Sequence, residues 1–378
     1  MPPRHPIIAD ALGRVRRALL ASGRPRRLLL ACSGGADSTA LVGLCHLLAG
    51  PEALELTIGH VDHGLRRESA DEAAGVERLA ARLGLPYSSR RLALAPGPGL
   101  PARARDARRA ALVELAREFG APAVALGHTA TDQAETLLMH ATRGCGLEGL
   151  AAMRPWDPPW LRPLLELSRG ETRALCEKLA LPFVDDPTNV DPRHPRVRVR
   201  EAVLPLLRAD NPHAERALAG LAAQAGDAEE ALQAWATREE AARRLAGPRW
   251  SAADLHALPR AVRTRFLRRI CGLGGADLGE LRAAVIEDID RVVLARAAAL
   301  GGTDAVLRPH AWDLRPGLVL RLTRDGFNLS PRPDRPPGAG ADVPPRHGRA
   351  DAPPQQAGAD APPGATGEPA PSGAKVRP

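Results

Sequence analysis

Two polar constellations stand at the ends of apolar strand-like runs, and both have residue types suited to nucleotide chemistry. The first is Ser33-Gly34-Gly35-Ala36-Asp37-Ser38, which follows the apolar run 28–32 and leads into a second apolar stretch. Its two glycines let the backbone turn tightly and bring amides close to an anion. A helix behind them aims the positive end of its dipole at that anion. Ser33, Ser38 and Thr39 add hydroxyls. Asp37 repels a bare phosphate but is useful where a magnesium ion joins carboxylate and phosphate. The loop therefore reads as a site for the pyrophosphate end of a nucleotide, with a structural Gly-Gly turn as the plain alternative. It has no Gly-Lys-[Ser/Thr] ending and no Gly-x-Gly-x-x-Gly, which excludes the two commonest phosphate-loop patterns.

The second constellation is Gly127-His128-Thr129-Ala130-Thr131-Asp132-Gln133-Ala134-Glu135-Thr136. His128, Asp132 and Glu135 are spaced i, i+4, i+7, which places them on one face of a helix. Two carboxylates on one face are costly to desolvate unless a cation joins them, and magnesium or an ammonium group would serve. The alternative is a helix start whose acids face its dipole.

Weaker signals surround these two. His60-Val61-Asp62-His63-Gly64-Leu65-Arg66 ends another apolar run, beside the first loop, where an adenosine could lie. A metal site is the other reading, but no third ligand has suitable spacing. Arg143-Gly144-Cys145-Gly146-Leu147-Glu148-Gly149-Leu150 is either a loop that approaches a nucleotide closely or a helix C-cap and turn. Arg103, Arg105, Arg108 and Arg109 lie on one helix beside the cleft. The turn-rich stretch from Asp185 to Asp191 leads into Arg193, Arg196, Arg198 and Arg200, either a loop that grips a polyanion or a salt-bridged linker.

Elements must position these groups, and the apolar periodicity supplies them. It predicts strands over 27–32, 54–60, 87–94, 122–127 and 160–165. It predicts helices over 7–21, 37–49, 68–84, 101–119 and 131–142. Apolar strands alternating with helices imply an α/β, Rossmann-like parallel sheet with helices on both faces and the ligand at the strands' carboxyl ends. The pattern divides the chain into a catalytic domain (1–210), a smaller mainly helical domain (211–328) and a disordered tail (329–378). In the helical domain we expect long helices over 213–245, then helices over 251–270 and 277–289, and a strand over 316–323. The tail is rich in Pro, Gly and Ala and has too little large apolar surface to offset chain entropy.

The net charge of +8 favours a polyanionic partner. Arginine replaces lysine almost everywhere, Lys178 and Lys375 being the only lysines, which weakens any argument from arginine counts alone. On the 251–270 helix, Arg263, Arg265, Arg268 and Arg269 read as a solvated face or as a phosphate track. Five cysteines without Cys-x-x-Cys spacing argue against a zinc ribbon, an iron–sulfur site or a disulfide framework and fit a reducing cytoplasm. No apolar stretch is long enough to span a membrane.

In combination these motifs are far more specific than any one of them. Ser-Gly-Gly-Ala-Asp-Ser resembles the PP-loop of the N-type ATP pyrophosphatases, which adenylate a substrate oxygen and release pyrophosphate. With His-Val-Asp-His-Gly-Leu-Arg at 60–66, Ala-Arg-x-Ala-Arg at 104–108, Gly-His-Thr-Ala-x-Asp-Gln-Ala-Glu-Thr at 127–136, Arg-Gly-x-Gly-Leu-x-Gly-Leu at 143–150, Arg-Pro-Leu-Leu at 162–165 and Asp-Pro-Thr-Asn-x-Asp at 186–191, in that order, the chain resembles the tRNA(Ile)-lysidine synthetases. The resemblance is strong over 10–210 and weak over 211–325.

The resemblance implies a cytoplasmic ligase that uses ATP and Mg2+, acts on an isoleucine tRNA with a CAU anticodon and on free L-lysine, and forms a homodimer as relatives often do. It implies ATP binding at Ser33, Gly34, Gly35, Ala36, Asp37 and Ser38, with Mg2+ on Asp37. Catalytic roles fall on Asp37, Arg105, His128, Asp132 and Glu135, and an adenosine pocket on His60, Asp62 and His63. Contacts to tRNA fall on Arg108, Arg143, Asn189, Arg196, Arg198 and Arg200. Whether Asp132 and Glu135 hold lysine or share the metal stays open.

The chain departs from the family pattern at Arg109, Cys145, His194-Pro195 and Val197. A 2-thiocytidine-forming tRNA thiolase would need paired cysteines that this chain lacks. An RNA-binding protein with a vestigial loop would not need Asp37, Ser38, Asp132 and Glu135 intact. A small-molecule amide or guanidine synthetase fits the basic balance less well.

Overall fold

The computed structural model describes residues 5–62, 69–93, 95, 97–184, 193–273, 283–300 and 309–332. Its central strand β1 (Arg27–Ala31) buries Leu28, Leu29 and Leu30, as a parallel strand covered on both faces requires. Alternate residues face opposite layers. Leu28 and Leu30 meet the apolar faces of α1 (Pro6–Ala21) and α2 (Ala36–Glu52), whereas Leu29 and Ala31 join a second cluster with Leu112 and Leu115. The order continues β2 (Glu55–Asp62), α3 (Ser69–Leu83), β3 (Tyr87–Arg91), α4 (Leu100–Glu118), β4 (Ala123–Ala125) and α5 (Ala130–Ala141). Every element expected between residues 7 and 142 forms, with ends shifted by a few residues.

Next come α6 (Leu147–Leu150), β5 (Trp156–Asp157), β6 (Trp160–Leu161) and α7 (Arg169–Lys178). The strand expected over 160–165 stops at Leu161, because Pro163 cannot donate to a ladder. The sheet order is β3-β2-β1-β4-β6-β5, parallel except for β5 against β6. Since β2 and β4 flank β1 on opposite sides, the strand order reverses there. The carboxyl ends of β1 and β4 therefore border the crevice where such sheets bind ligands.

The chain then runs through α8 (Pro195–Arg198), a π-helical turn (Val199–Val203), α9 (Leu204–Asp210) and the 30-residue α10 (Ala214–Arg243). Helix α10 packs on α5, α6 and α11 (Arg260–Leu273). The helix expected from 251 begins only at Arg260, since Pro259 suits a helix start and not its interior. Helix α12 (Ala283–Leu300) outruns the short helix expected over 277–289, whose first residues lie outside the described ones.

The helical part also contains a four-stranded antiparallel sheet, β7 (Arg249–Trp250), β8 (His310–Arg315), β9 (Leu318–Thr323) and β10 (Gly326–Pro331), in the order β7-β10-β9-β8. Only β9 had an apolar run long enough to be read from sequence. Strand β10 buries Leu329 and ends at Pro331, so ordered structure passes the expected start of the tail at 329. Residues 333–378 lie outside the described ones. Contacts join residues 1–331 into one compact unit. Among the described residues no helix is long and apolar enough to cross a membrane.

Candidate active site

The first loop leaves β1 and turns at Gly34, whose φ of +90° suits glycine. Gly35 is the N-cap of α2 and has no side chain to cap it. The amides of Ala36, Asp37 and Ser38 thus begin a buried helix uncapped, the arrangement an anion completes. Ser38 braces the loop from inside. Its hydroxyl accepts from the Ser33 amide (3.1 Å) and donates to the Gly35 carbonyl (3.0 Å).

Gly127, just after β4, closes the crevice from the other side. A Cβ there would lie 3.0 Å from backbone atoms of Asp37 and Ser38, so only glycine lets the two strand ends meet this closely. His128 follows, then Thr129 caps α5. The Asp132 carboxylate accepts from the Thr129 amide and hydroxyl, both at 2.9 Å, and the Asp132 amide donates back to Thr129 Oγ1. This is a capping box with Asp at its third position. The helical spacing argument therefore applies to Asp132 and Glu135, while His128 arrives from the preceding loop.

The carboxylates have different surroundings. Burial pushes the Asp37 carboxyl up, against the opposing Arg169 charge and a hydrogen bond from Thr172 Oγ1 to Oδ1 (2.5 Å). Arg169 Nε stands 3.1 Å from Asp37 Oδ2. Burial also pushes Asp132 up, but Arg169, His128 and the Thr129 hydrogen bonds outweigh it and hold it below the usual carboxylate range. Glu135 is fully buried. Burial raises it despite Arg200 Nε at 2.6 Å from Oε1, and its Oε2 has no partner. His128 is pushed down by burial, with Arg162 and Arg108 adding to the shift against Asp132; its buried Nδ1 is unpartnered. The ring is therefore neutral at pH 7.

A family model described as a PP-loop domain matches residues 11–207. A tRNA(Ile)-lysidine synthase of Thermobifida fusca is 39% identical over 76% of this chain and 90% of its own length. One of Methylobacterium nodulans is 38% identical over 88% of this chain and 98% of its own length. The chain belongs to the tRNA(Ile)-lysidine synthase family. It carries the family's PP-loop ATPase fold, a Rossmann-like sheet followed by a mainly helical part.

The remaining expected residues fall into four groups. Some lie at the end of β2 or on α4. His60 is buried at the end of β2, with Nδ1 2.9 Å from the Cys32 carbonyl and Nε2 unpartnered. Asp62 faces Arg91 at 3.6 Å. On α4, Arg105 is exposed and Arg108 half-buried, its charged form disfavoured by burial and by Arg105. Others turn inward. Arg200 is taken up by Glu135, and Arg196 donates to Thr136 Oγ1 at 2.9 Å. Arg143 and Arg198 are exposed. His63 and Asn189 lie outside the described residues.

Two departures from the family pattern have local explanations. Arg109 stacks over the Trp160 ring, 4.6 Å from its centroid, and Val197 is buried in the turn before Arg198. Gly144, at φ +74°, ends α5 as a helix terminator does, so the 143–150 stretch starts as a C-cap.

Sequence reasoning missed Arg162, Arg169 and Thr172. Arg162 is buried, with its Nε unpartnered, and neighbouring Arg109 and Arg105 add to the burial that disfavours its charge. Ser168-Arg169-Gly170-Glu171 reads as a capping box, which α7 does form. Nothing in that signal points to Asp37. Among the described residues no three His, Cys, Asp or Glu side chains group as metal ligands. That still suits Mg2+, which is typically held by one or two carboxylates plus substrate phosphates.

Proposed function

We propose that this protein ligates free L-lysine to C2 of the wobble cytidine of tRNA(Ile) with a CAU anticodon, using ATP. The C2 oxygen attacks the α-phosphorus and pyrophosphate leaves. The lysine ε-amine then attacks C2, loses a proton, and AMP leaves. The base afterwards pairs as U does, so the codon read changes from Met to Ile. The observation that carries this reading is the uncapped glycine loop facing Asp132 and Glu135 across the switch-point crevice, in a chain of this family.

Each step calls on residues already described. The loop amides and Ser38 bind the phosphates. Asp37 would hold Mg2+, which would offset charge on the leaving pyrophosphate. Neutral His128, with a free ring nitrogen, and Arg105 attend the reacting oxygen and the α-phosphate. The unpartnered oxygen of Glu135, together with Asp132, attracts the cationic amine. Proton removal from the amine falls to a carboxylate or to His128. His60, Asp62 and His63 form the adenosine side. Arg108, Arg143, Asn189, Arg196 and Arg198 serve the tRNA, and Arg200 reaches it only by leaving Glu135. In this reading residues 1–210 do the chemistry, 211–328 support the tRNA, and the enzyme works in the cytoplasm.

The test is incorporation of radiolabelled lysine into a tRNA(Ile) CAU transcript with ATP and magnesium, beside a transcript with uridine at position 34. Label in the first and none in the second is expected. ATP cleavage to AMP and pyrophosphate without label in either would overturn the lysine assignment and keep the PP-loop chemistry.

A further inference from the structure

The proposed chemistry gives Arg169 no role. This residue opens α7, and its backbone amide donates to Thr131 Oγ1 at 3.1 Å, while the Leu167 carbonyl accepts from the Ala130 amide at 2.7 Å. The main chain thus pins α7 to the start of α5 whatever side chain stands at 169. The guanidinium is a separate matter. Its Nε lies 3.1 Å from Asp37 Oδ2, yet the alignment makes no hydrogen bond and that nitrogen is buried without a partner.

The acceptors around it are equally incomplete. Asp37 Oδ1 has Thr172, but Oδ2 has only the misaligned guanidinium. Glu135 Oε1 has Arg200, but Oε2 has nothing. Asp132 commits Oδ2 to Thr129. A charged donor near carboxylates often forms short, aligned, bidentate bonds, and this guanidinium, its side chain 35% exposed, forms none with them. A compact ammonium with three rotatable donors would suit these scattered acceptors better.

We propose that Arg169 is a positioning residue that stands in for the substrate ammonium. Its guanidinium balances Asp37, Asp132 and Glu135 while the amine site is empty and is displaced when the amine enters. This rests on the lysine-dependent reading. The arrangement keeps buried carboxylates from facing one another uncompensated between turnovers, at the cost of competing with substrate. It also favours release of any amine that has not reacted.

The test is calorimetric titration of L-lysine into the full chain with Mg2+ and a non-hydrolysable ATP analogue, for wild type, Arg169→Met and Arg169→Lys. Thermal melts and lysine-independent ATP–pyrophosphate exchange with tRNA are measured alongside. Competition predicts that Arg169→Met tightens lysine binding about threefold or more and lowers the KM for lysine, while Arg169→Lys stays near wild type. Unchanged or weaker lysine binding by a folded Arg169→Met overturns the inference and leaves the lysine reading intact. Should Arg169→Met fail to fold, Arg169→Gln takes its place with the same expectation. No lysine binding by wild type that still performs exchange overturns the lysine reading and this inference together.

Discussion

The helical part and the crevice of the parallel sheet differ in how completely their buried charges are paired. In the helical part, Arg263 and Asp290 are both almost fully buried and bonded two-to-two, and the remaining Arg263 donor reaches the Leu258 carbonyl at 2.7 Å. Glu229 takes both Nε and NH2 of Arg265. Glu240 accepts from Trp250 Nε1 at 2.9 Å and from Arg244 at 3.0 Å. In the crevice of the parallel sheet more groups are left incomplete. Glu135 Oε2, His128 Nδ1, His60 Nε2 and the Nε atoms of Arg162 and Arg169 are buried without partners. Unmade buried bonds cost free energy, so a folded protein keeps several in one place where a ligand completes them. In the helical part Arg269 Nε and Arg296 Nη2 are also buried without partners, so the contrast lies in how many such atoms the crevice gathers in one place.

The sharpest test of this contrast is Asp37→Ala. It should cut ATP–pyrophosphate exchange by about 10³-fold or more, as loss of a group that stabilises developing charge does, with little change in melting temperature or in tRNA binding. Equal loss of tRNA binding would break the metal assignment. Arg263→Met should do the reverse. Leaving Asp290 buried and unpaired costs about 3–5 kcal/mol, so the urea midpoint should fall steeply. Exchange activity per folded molecule should survive, and its loss would show that the two halves are not separable in this way.

Gly127→Ala lies between these cases. Its Cβ would press on the backbone of Asp37 and Ser38, costing about 1–3 kcal/mol of strain and spreading the crevice. Both melting temperature and exchange rate should drop. The smallest effect is in acid. The Arg265 hydrogen bond holds Glu229 below its ordinary value. A depressed carboxyl contributes stability above its unfolded pKa, and that contribution is lost as pH falls through the folded value. Wild type should therefore lose more of its urea midpoint between pH 6 and pH 3 than Arg265→Met does, and equal losses would assign the acid sensitivity elsewhere.

How legible each feature was depended on how local its cause is. Leu28–Leu30, the Gly34–Gly35 turn and the alternation through α5 were readable, because an apolar period or a glycine is set within a few residues. Of the two readings weighed for Asp132, the structure shows the helix start, since it caps α5. Strands β7, β8 and β10 were not readable. Strand β7 has only two residues, β8 is half-exposed, and β10 mixes Gly326, Asn328, Ser330 and Pro331 among its apolar residues, so no continuous apolar run marks them. Arg200 could be seen only as one arginine in a row, whereas its Glu135 partner comes from another element.

The sequence by itself determined the order of strands and helices through α5, the glycine turn before α2, and which residue types stand at the strand ends. These follow from local periodicity, backbone freedom and chemical identity, all written along the chain. Only the tertiary structure decided which charges meet. Asp37, Asp132 and Glu135 share Arg169 because the strand order reverses beside β1 and α7 folds back onto α2 and α5. Whether a guanidinium is saturated or left waiting depends on distances between elements far apart in the chain, and Coulomb energies and hydrogen-bond alignment exist only once those elements pack.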